Sequence, residues 1–234
     1  MNAIIQCRGV HKTYLQGAVG VPALQGIDLV IESGDFATLA GPSGSGKTTL
    51  LSLIGGLDRP SAGSISVDGE SIEDMEQNRL ADLRLHKIGF VFQSYSLIPV
   101  LSAIENVAFI LQLLGVPRGD REQRARDALR EVGLEGLETR RPARLSGGQQ
   151  QRVAVARALA PKPAIVLADE PTANLDSRNA EELIALMSRL NAASGITFLI
   201  ATHDARVMAH SRRRIEMTDG RIAGDERLDA PGRA

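Results

Sequence analysis

The sequence predicts an α/β protein with a mostly parallel β-sheet, and three observations lead to that prediction. Short apolar runs typical of buried strands alternate with stretches of helical periodicity. A glycine-rich loop connects one of these strands to a helix. Residues 94–144 have helical periodicity with few breaks, which indicates a helical subdomain inserted into the α/β core. The length of 234 residues fits one domain carrying such an insertion.

The first predicted strands lie near the N-terminus, within residues 3–10 and 27–40. Between 27 and 31 every second residue is apolar, as in a half-buried antiparallel strand. Residues 36–40 form a continuous apolar run that leads into the glycine loop, which is typical of a buried parallel strand. The sequence therefore predicts an N-terminal antiparallel β subdomain beside the parallel sheet.

The later elements continue the alternation of strand and helix. Strands are predicted at 64–67, 88–92, 165–168 and 196–201, and helices at 48–57 and 177–193. Asp219-Gly220 predicts the turn of a last hairpin, and the polar residues 225–234 predict a frayed end. We expect a single domain, 1–234, made of a nucleotide-binding core (1–93 and 155–223), a helical subdomain (94–154) and a flexible tail (224–234).

Composition excludes several classes of protein. The net charge of −1 gives no global attraction to nucleic acid, so no nucleic-acid partner is expected. The single cysteine, Cys7, excludes an intramolecular disulfide, fits a reducing compartment and lies in an apolar stretch that predicts burial. No secretory signal is recognisable, and no apolar run approaches the roughly 20 residues that span a bilayer. A role at a membrane would therefore require a partner.

Residues 41–48 match the phosphate-binding pattern GxxxxGK[ST]. A strand, a glycine loop and a helix N-terminus together direct backbone N–H groups and a partial positive charge at one anion. We expect Lys47 to reach the β- and γ-phosphates and the Thr48 hydroxyl to ligate Mg²⁺. The predicted triphosphate-binding residues are Gly41, Pro42, Ser43, Gly44, Ser45, Gly46, Lys47, Thr48 and Thr49.

The strand predicted at 165–168 runs directly into Asp169 and Glu170. Such a strand delivers carboxylates to the carboxyl edge of the sheet, where open α/β sheets bind ligands. We expect Asp169 to hold Mg²⁺, which prefers oxygen ligands, and Glu170 to polarise an attacking water. The plainer alternative is a strand followed by a solvated turn.

Two further polar residues follow predicted strands. Gln93 comes after the strand at 88–92 and is a candidate contact for both Mg²⁺ and the attacking water. His203 follows the strand at 196–201, from which a ring nitrogen can reach the γ-phosphate and hold Glu170 and the water. With Glu170 and Lys47 they form the predicted catalytic set, although a surface position for Gln93 remains an alternative.

The segment from Ser146 to Gln149 opens a long helical stretch. Serine there predicts an N-cap, and the simplest interpretation is a good helix start. However, Gly147 and Gly148 each lower helix propensity by about 1 kcal/mol, a cost with no evident folding reason. We therefore expect Ser146–Gln149 to be a second anion site, completed when two chains pack head to tail.

With these motifs placed, residues 4–223 resemble the ATP-binding-cassette (ABC) ATPase subunits. Ser146–Gln149 corresponds to the family's signature motif, Asp169-Glu170 to Walker B, and 173–176 to the D-loop. Gln93 falls at the Q-loop and His203 at the switch histidine.

Tyr14 matches the position where the family stacks an aromatic ring on adenine. An alternative is a tyrosine at the edge of a hairpin.

The resemblance implies a P-loop NTPase core of the RecA-like type that uses ATP and Mg²⁺. It also implies a homodimer with ATP between the two chains, and a separate integral-membrane permease. The subunit would then be peripheral to the cytoplasmic face of the inner membrane. No motif of the family is missing, so a catalytically dead site is not suggested.

A closer resemblance is to the branch of lipoprotein-release and macrolide-export ATPases and their cell-division relatives. It rests on 53–60, 90–99, 105–107 and 172–177, although Thr172-Ala173 stands where Thr-Gly is usual. In the family, the segment after the glutamine receives a short permease helix, and Ser94–Ser102 carries apolar residues suited to this. A patch folded under the helical subdomain explains them equally well.

Of three other functions, the sequence leaves only a signalling role open. An ABC protein of DNA repair needs a long coiled coil between the two motifs, and one of translation carries two cassettes; the chain has neither feature. The basic run Arg212–Arg214 is better explained as the solvated flank of a strand than as a nucleic-acid patch. An ATPase that signals, as in cell division, without moving cargo is not separable from an exporter.

Overall fold

The structure, a computed structural model, describes residues 2–228. The strands are β1 (Ala3–Gln16), β2 (Val19–Glu32), β3 (Phe36–Ala40), β4 (Ala62–Val67), β5 (Glu70–Ser71), β6 (Ile88–Phe92), β7 (Ile165–Asp169), β8 (Thr197–Thr202), β9 (Arg213–Thr218) and β10 (Arg221–Arg227). The helices are α1 (Lys47–Ile54), α2 (Gln77–Lys87), α3 (Ala103–Leu113), α4 (Arg118–Glu131), α5 (Gly147–Leu159), α6 (Ser177–Ser194) and α7 (Ala205–Ala209), with a 3₁₀ turn at Pro142–Arg144. Among the described residues, no helix combines the length and the apolar character needed to cross a membrane.

Two sheets form the α/β core. The larger has the order β10-β9-β3-β8-β7-β6, in which only β10 pairs antiparallel to its neighbour. The smaller, β2-β1-β4-β5, is antiparallel throughout. The predicted mostly parallel sheet and N-terminal antiparallel sheet are therefore both present.

The parallel sheet is buried on both faces, because alternate side chains of its strands enter two different hydrophobic clusters. Leu167 and Leu199 point to one side, where α1 and the antiparallel sheet pack. Val166 and Phe198 point to the other, where α5 and α6 pack. This double burial explains why these strands are continuous apolar runs in the sequence.

Helix α5 connects the helical subdomain to the sheet. Its residues share a hydrophobic cluster with α3 and α4, and it also lies against β6 so closely that a Cβ at Gly89 would stand 2.6 Å from the carbonyl oxygen of Ala158. The predicted boundary between residues 154 and 155 falls inside this continuous helix. The helix therefore belongs to both parts of the molecule.

Several predicted elements differ from the structure. β1 and β2 extend into a long hairpin through residues 11–26, and α2 has no counterpart in the prediction. The tail predicted to begin at 224 is wrong for its first residues, because β10 runs to Arg227 and pairs with β9. The remainder of the predicted tail, 229–234, lies outside the described residues.

The prediction of a solvated Arg212–Arg214 is wrong for its central residue. Arg213 is 7% exposed and pairs with Asp35 at 2.9 Å and with Asp225 at 2.7 Å. Because β9 lies beside β3, the side chain of Arg213 is enclosed between β10 and the turn before β3. Cys7, by contrast, is buried as predicted, and burial, assisted by the negative charge of Asp28, raises the pKa of its thiol to about 12.

Candidate active site

Four neighbouring strands end at one edge of the parallel sheet, and each is followed by a predicted site residue. β3 leads to the glycine loop, β8 to His203, β7 to Glu170 and β6 to Gln93. The registers align these ends, since Ala40 pairs with Thr202 and Asp169 pairs with both Ala201 and Phe92. Topology therefore brings together residues that are up to about 160 positions apart in sequence.

The glycine loop wraps the N-terminus of α1. Gly46 is the N-cap of this helix at φ 100°, and a Cβ there would stand 2.8 Å from the carbonyl oxygen of Ala23. Lys47 is buried inside the loop, where its Nζ donates to the carbonyl oxygens of Gly41 (2.7 Å) and Pro42 (2.9 Å). A cation and a helix N-terminus thus lie at one concave backbone surface, as a polyphosphate requires.

Thr48 and Asp169 meet beside this loop, with Thr48 Oγ1 donating to Asp169 Oδ1 at 3.1 Å. Both are hard oxygen donors, so the pair fits Mg²⁺, with the phosphates and water completing its coordination. Burial raises the pKa of the Asp169 carboxyl, and the charge of Glu170 adds to this; the Thr48 hydrogen bond and Lys47 partly offset it. A bound divalent cation favours the ionised carboxylate.

Glu170 and His203 form a second pair at the same edge. Nδ1 of His203 lies 2.8 Å from Oε1 of Glu170, and the His203 side chain is 61% exposed whereas that of Glu170 is 17% exposed. The Glu170 backbone has φ 45°, in the left-handed region that residues other than glycine rarely adopt. Its N–H donates to the carbonyl oxygen of Ala201 at 2.9 Å, which holds this conformation.

Gln93 lies at the carboxyl end of β6 with its side chain exposed. Its carbonyl oxygen accepts a hydrogen bond from Nδ2 of Asn174 at 3.0 Å, so the Gln93 loop and the segment after Glu170 are joined.

Ser146 is the N-cap of α5 and forms a capping box with Gln149. Ser146 N donates to Gln149 Oε1 at 3.0 Å, and Gln149 N donates to Ser146 Oγ at 3.3 Å. Within residues 2–228, no hydrogen bond joins Ser146–Gln149 to the glycine loop of the same chain.

Each of the two glycines has one close neighbour in the fold. A Cβ at Gly147 would stand 2.8 Å from Tyr95 Oη, and a Cβ at Gly148 would stand 2.7 Å from Asn179 Oδ1. Both neighbours are the ends of side chains that can move aside, so packing restricts these two positions only weakly, and the expectation of a second anion site stays a prediction.

Tyr14 lies on the β1–β2 hairpin, 42% exposed, and its hydroxyl donates to Asp58 Oδ2 at 3.0 Å. Lys12 Nζ lies 4.9 Å from the centre of the Tyr14 ring and donates to Asp58 Oδ1 at 2.7 Å. Partial burial acts to raise the pKa of Asp58, but hydrogen bonds from Lys12, the Arg59 N–H and Tyr14 outweigh it and lower that pKa. The orientation of the Tyr14 ring is thus fixed by its hydrogen bond to Asp58.

Four residues that support the site were not predicted from the sequence, namely Lys12, Asp58, Tyr95 and Gln151. Asp58 and Tyr95 had a signal, because they lie in the segments 53–60 and 90–99 on which the closer family resemblance rests. The other contacts depend on which loops the fold brings together, and no sequence spacing encodes that.

Comparison with known proteins identifies the family. The family model described as ABC transporter matches residues 24–173, well over half of the chain. The chain belongs to the ABC transporter family. It is an ATP-binding subunit of that family and an ATPase that uses ATP and Mg²⁺, as the resemblance implied.

Individual relatives place this ABC subunit near two named groups. It is 47% identical over 222 residues to the lipoprotein-releasing system ATP-binding protein LolD of Anaeromyxobacter dehalogenans, covering 94% of this chain and 93% of the relative. It is 45% identical over 228 residues to the macrolide export ATP-binding/permease protein MacB 1/2 of Paracoccus denitrificans, covering 97% of this chain but 34% of that protein. The predicted LolD- and MacB-like branch is therefore confirmed.

Solved structures confirm the fold of the ABC subunit. A dimeric ATP-binding cassette in a post-hydrolysis state with ADP and Pi superposes with a TM-score of 0.88 and 41% identity, covering 97% of this chain and 99% of that one. The protein cbiO1 from Clostridium perfringens, part of the ABC transporter complex cbiONQ, also reaches a TM-score of 0.88, at 31% identity, with 97% of this chain and 89% of that one covered.

Proposed function

We propose that the protein is a homodimeric motor subunit in which each ATP lies between the Gly41–Thr49 loop of one chain and Ser146–Gln149 of the other. The observation that carries this proposal is the arrangement within one chain. The glycine loop, Asp169, Glu170 and His203 share one sheet edge, whereas in the part of the chain that the structure describes Ser146–Gln149 makes no hydrogen bond to that loop. A helix N-terminus with accessible N–H groups then serves a phosphate of the neighbouring subunit.

In the hydrolysis step, Glu170 accepts a proton from the attacking water and His203 holds the Glu170 carboxylate while facing the γ-phosphate. Lys47 neutralises charge on the β- and γ-phosphates, and Gln93 orients the water. Thr48, Asp169 and Gln93 would hold Mg²⁺, which would supply further charge neutralisation. Tyr14 stacks on the adenine.

The partner we propose is an integral-membrane permease that contacts Ser94–Ser102. The support is the exposure of apolar side chains in this segment. Leu97 is partly buried against the helical subdomain, whereas Pro99 is exposed and Val100 is 70% exposed. The protein would then lie at the cytoplasmic face of the inner membrane. From the names of its relatives, we propose that the system releases a lipoprotein or exports an amphiphilic compound.

The test uses tagged Glu170→Gln protein, with the wild-type chain as control. We expect the variant to lose at least about 100-fold in turnover, as removal of a general base does, and to form an ATP-dependent dimer in size-exclusion chromatography. Rapid hydrolysis by the variant would disprove the role of Glu170.

The ATP-loaded variant then serves as bait in detergent-solubilised native membranes. Co-purification of a polytopic permease supports the membrane role, and recovery of ribosomal or other water-soluble partners alone contradicts it. Binding that Val100→Asp abolishes, without loss of ATP-dependent dimerisation, would place the permease on Ser94–Ser102.

A further inference from the structure

A buried glutamine in α5 connects two parts of the site. Gln151 is 0% exposed, and its Nε2 donates to the carbonyl oxygen of Phe92 at 3.2 Å and to that of Pro171 at 2.8 Å. Phe92 immediately precedes Gln93, and Pro171 immediately follows Glu170. One amide group therefore joins the backbones beside two of the proposed hydrolytic residues.

Few other side chains at position 151 could donate to both carbonyl oxygens. Both acceptors are carbonyl oxygens, so the group between them has to carry two N–H or O–H donors directed at two different points. A carboxylate there would place negative oxygens against both carbonyls, and an apolar side chain of the same length would leave Pro171 without this bond.

The same helix also holds the backbone on the other side of Gln93. Arg157 donates through its Nη1 to the carbonyl oxygen of Ser96 and through its Nη2 to that of Tyr95 at 3.1 Å. Tyr95 and Ser96 have φ 58° and 50°, so this segment keeps an unfavourable backbone conformation that these contacts help to maintain. Helix α5 thus fixes the chain before and after Gln93.

We propose that Gln151 is a positioning residue for ATP hydrolysis, acting by holding the Gln93 backbone at a set distance from the Glu170 backbone. The proposal rests on the roles proposed for those two residues. Because Ser146 caps the N-terminus of α5, a shift of this helix when the dimer closes displaces both backbones together through Gln151. Among the described residues, the Gln151 side chain makes its hydrogen bonds to Phe92 and Pro171 and none to the glycine loop or to Ser146–Gln149.

The test compares Gln151→Met and Gln151→Asn with a matched control, Asn191→Leu, in the full chain. Asn191 is also a buried amide that bridges carbonyl oxygens, those of Gly34 (3.0 Å) and Ile196 (2.7 Å), but it lies at the opposite edge of the sheet. Unfolding temperature, ATP affinity and steady-state hydrolysis are measured for each variant, below the unfolding range of all of them.

For Gln151→Met we expect kcat to fall about 10- to 100-fold with KM for ATP within about 2-fold, because misplacement of catalytic groups slows chemistry without weakening binding. Gln151→Asn keeps the amide but is one methylene shorter, so its kcat should lie between those of Gln151→Met and the wild type. Asn191→Leu should lose stability and keep kcat. If Gln151→Met does not fold, an unchanged kcat in Gln151→Asn overturns the proposal. A loss of kcat in Asn191→Leu as large as that in the Gln151 variants also overturns it.

Glu170→Gln, measured in parallel, separates this proposal from the function on which it rests. If Glu170→Gln is inactive while both Gln151 variants keep full kcat, only the role of Gln151 is wrong. If Glu170→Gln hydrolyses ATP rapidly, the proposed general base is wrong whatever the Gln151 variants do. Gln151→Met combined with Glu170→Gln should still form the ATP-dependent dimer, and loss of that dimer would show a role in binding instead of positioning.

Discussion

Nδ1 of His203 lies 2.8 Å from Oε1 of Glu170, so the two residues are already paired in a single chain. Since β7 and β8 are adjacent and in register, the pairing follows from the sheet itself and needs no partner subunit. Within residues 2–228, Ser146–Gln149 makes no hydrogen bond to the glycine loop of its own chain, and in the proposed dimer the same segment of another chain would face that loop. Assembly would then complete the nucleotide site and leave the pairing of the hydrolytic residues unchanged.

Removing the imidazole should therefore impair chemistry more than binding. We expect His203→Ala to lower kcat about 100-fold or more, in the range of general acid–base and electrostatic contributions, with little change in ATP affinity. Steady-state ATPase assays together with fluorescent-nucleotide binding measure the two effects. His86→Ala is the matched control, because His86 is exposed on α2 and, among the described residues, its ring hydrogen-bonds only to the carbonyl oxygen of Asp82. Equal activity losses in both variants would contradict the role of His203.

The contacts around Tyr14 predict an effect on ATP binding and little effect on kcat. Asp58→Asn removes the charge that holds Lys12 and the Tyr14 hydroxyl, so the ring loses its fixed orientation. We expect Tyr14→Ala to raise KM for ATP about 3- to 10-fold, since an aromatic stacking contact is worth roughly 0.5–1.5 kcal/mol. Asp58→Asn should have a smaller effect in the same direction, and kcat should be nearly unchanged in both.

Tyr14→Phe separates the ring from its hydroxyl and serves as the control for Tyr14→Ala. It should retain most of the affinity, because the ring remains available for stacking. If Tyr14→Ala binds ATP as tightly as the wild type, Tyr14 is only a hairpin-edge residue.

The sequence was informative where a motif follows a buried strand, and less so elsewhere. Asp169 and His203 were placed correctly at the sheet edge because a continuous apolar run predicts a parallel strand, and the carboxyl ends of parallel strands meet at one edge. Arg213 was misjudged because a run of arginines indicates solvent unless carboxylates are near, and Asp35 is 178 positions away. Gln151 gave no signal, since its partners are the last residue of β6 and a residue of the loop after β7, and their proximity depends on the strand order.

The capping box at the start of α3 makes stability depend on pH. Ser102 donates to Glu105 Oε2 through its N–H at 2.7 Å and through its hydroxyl at 2.8 Å, and these bonds hold the pKa of the Glu105 carboxyl below its ordinary 4.5. A lowered folded-state pKa gives stability that is complete above the unfolded pKa and is lost as pH falls through the folded pKa. Glu105→Gln should thus be less stable than the wild type at pH 7, with the difference shrinking below about pH 4.

Urea denaturation of both proteins between pH 3 and pH 7 measures this difference. Ser102→Ala, which removes the partner and leaves the carboxyl group, should cost about 1 kcal/mol at pH 7 through loss of the N-cap. A difference between Glu105→Gln and the wild type that stays constant across this pH range would contradict the assignment.

Arg213 and Arg214 are sequence neighbours whose substitution should have very different consequences. Arg213→Met leaves Asp35, whose side chain is 11% exposed, without its closest cation, and Asp225 without its partner. Loss of one member of a buried ion pair costs about 3–5 kcal/mol, and the lower end applies here because Arg227 also lies 3.4 Å from Asp35. Arg214→Met removes pairs with Glu216 and Glu226, whose side chains are 54% and 64% exposed, so it should cost no more than about 1 kcal/mol. Urea denaturation gives both values, and similar costs for the two variants would show that the enclosed pair contributes no more than a surface pair.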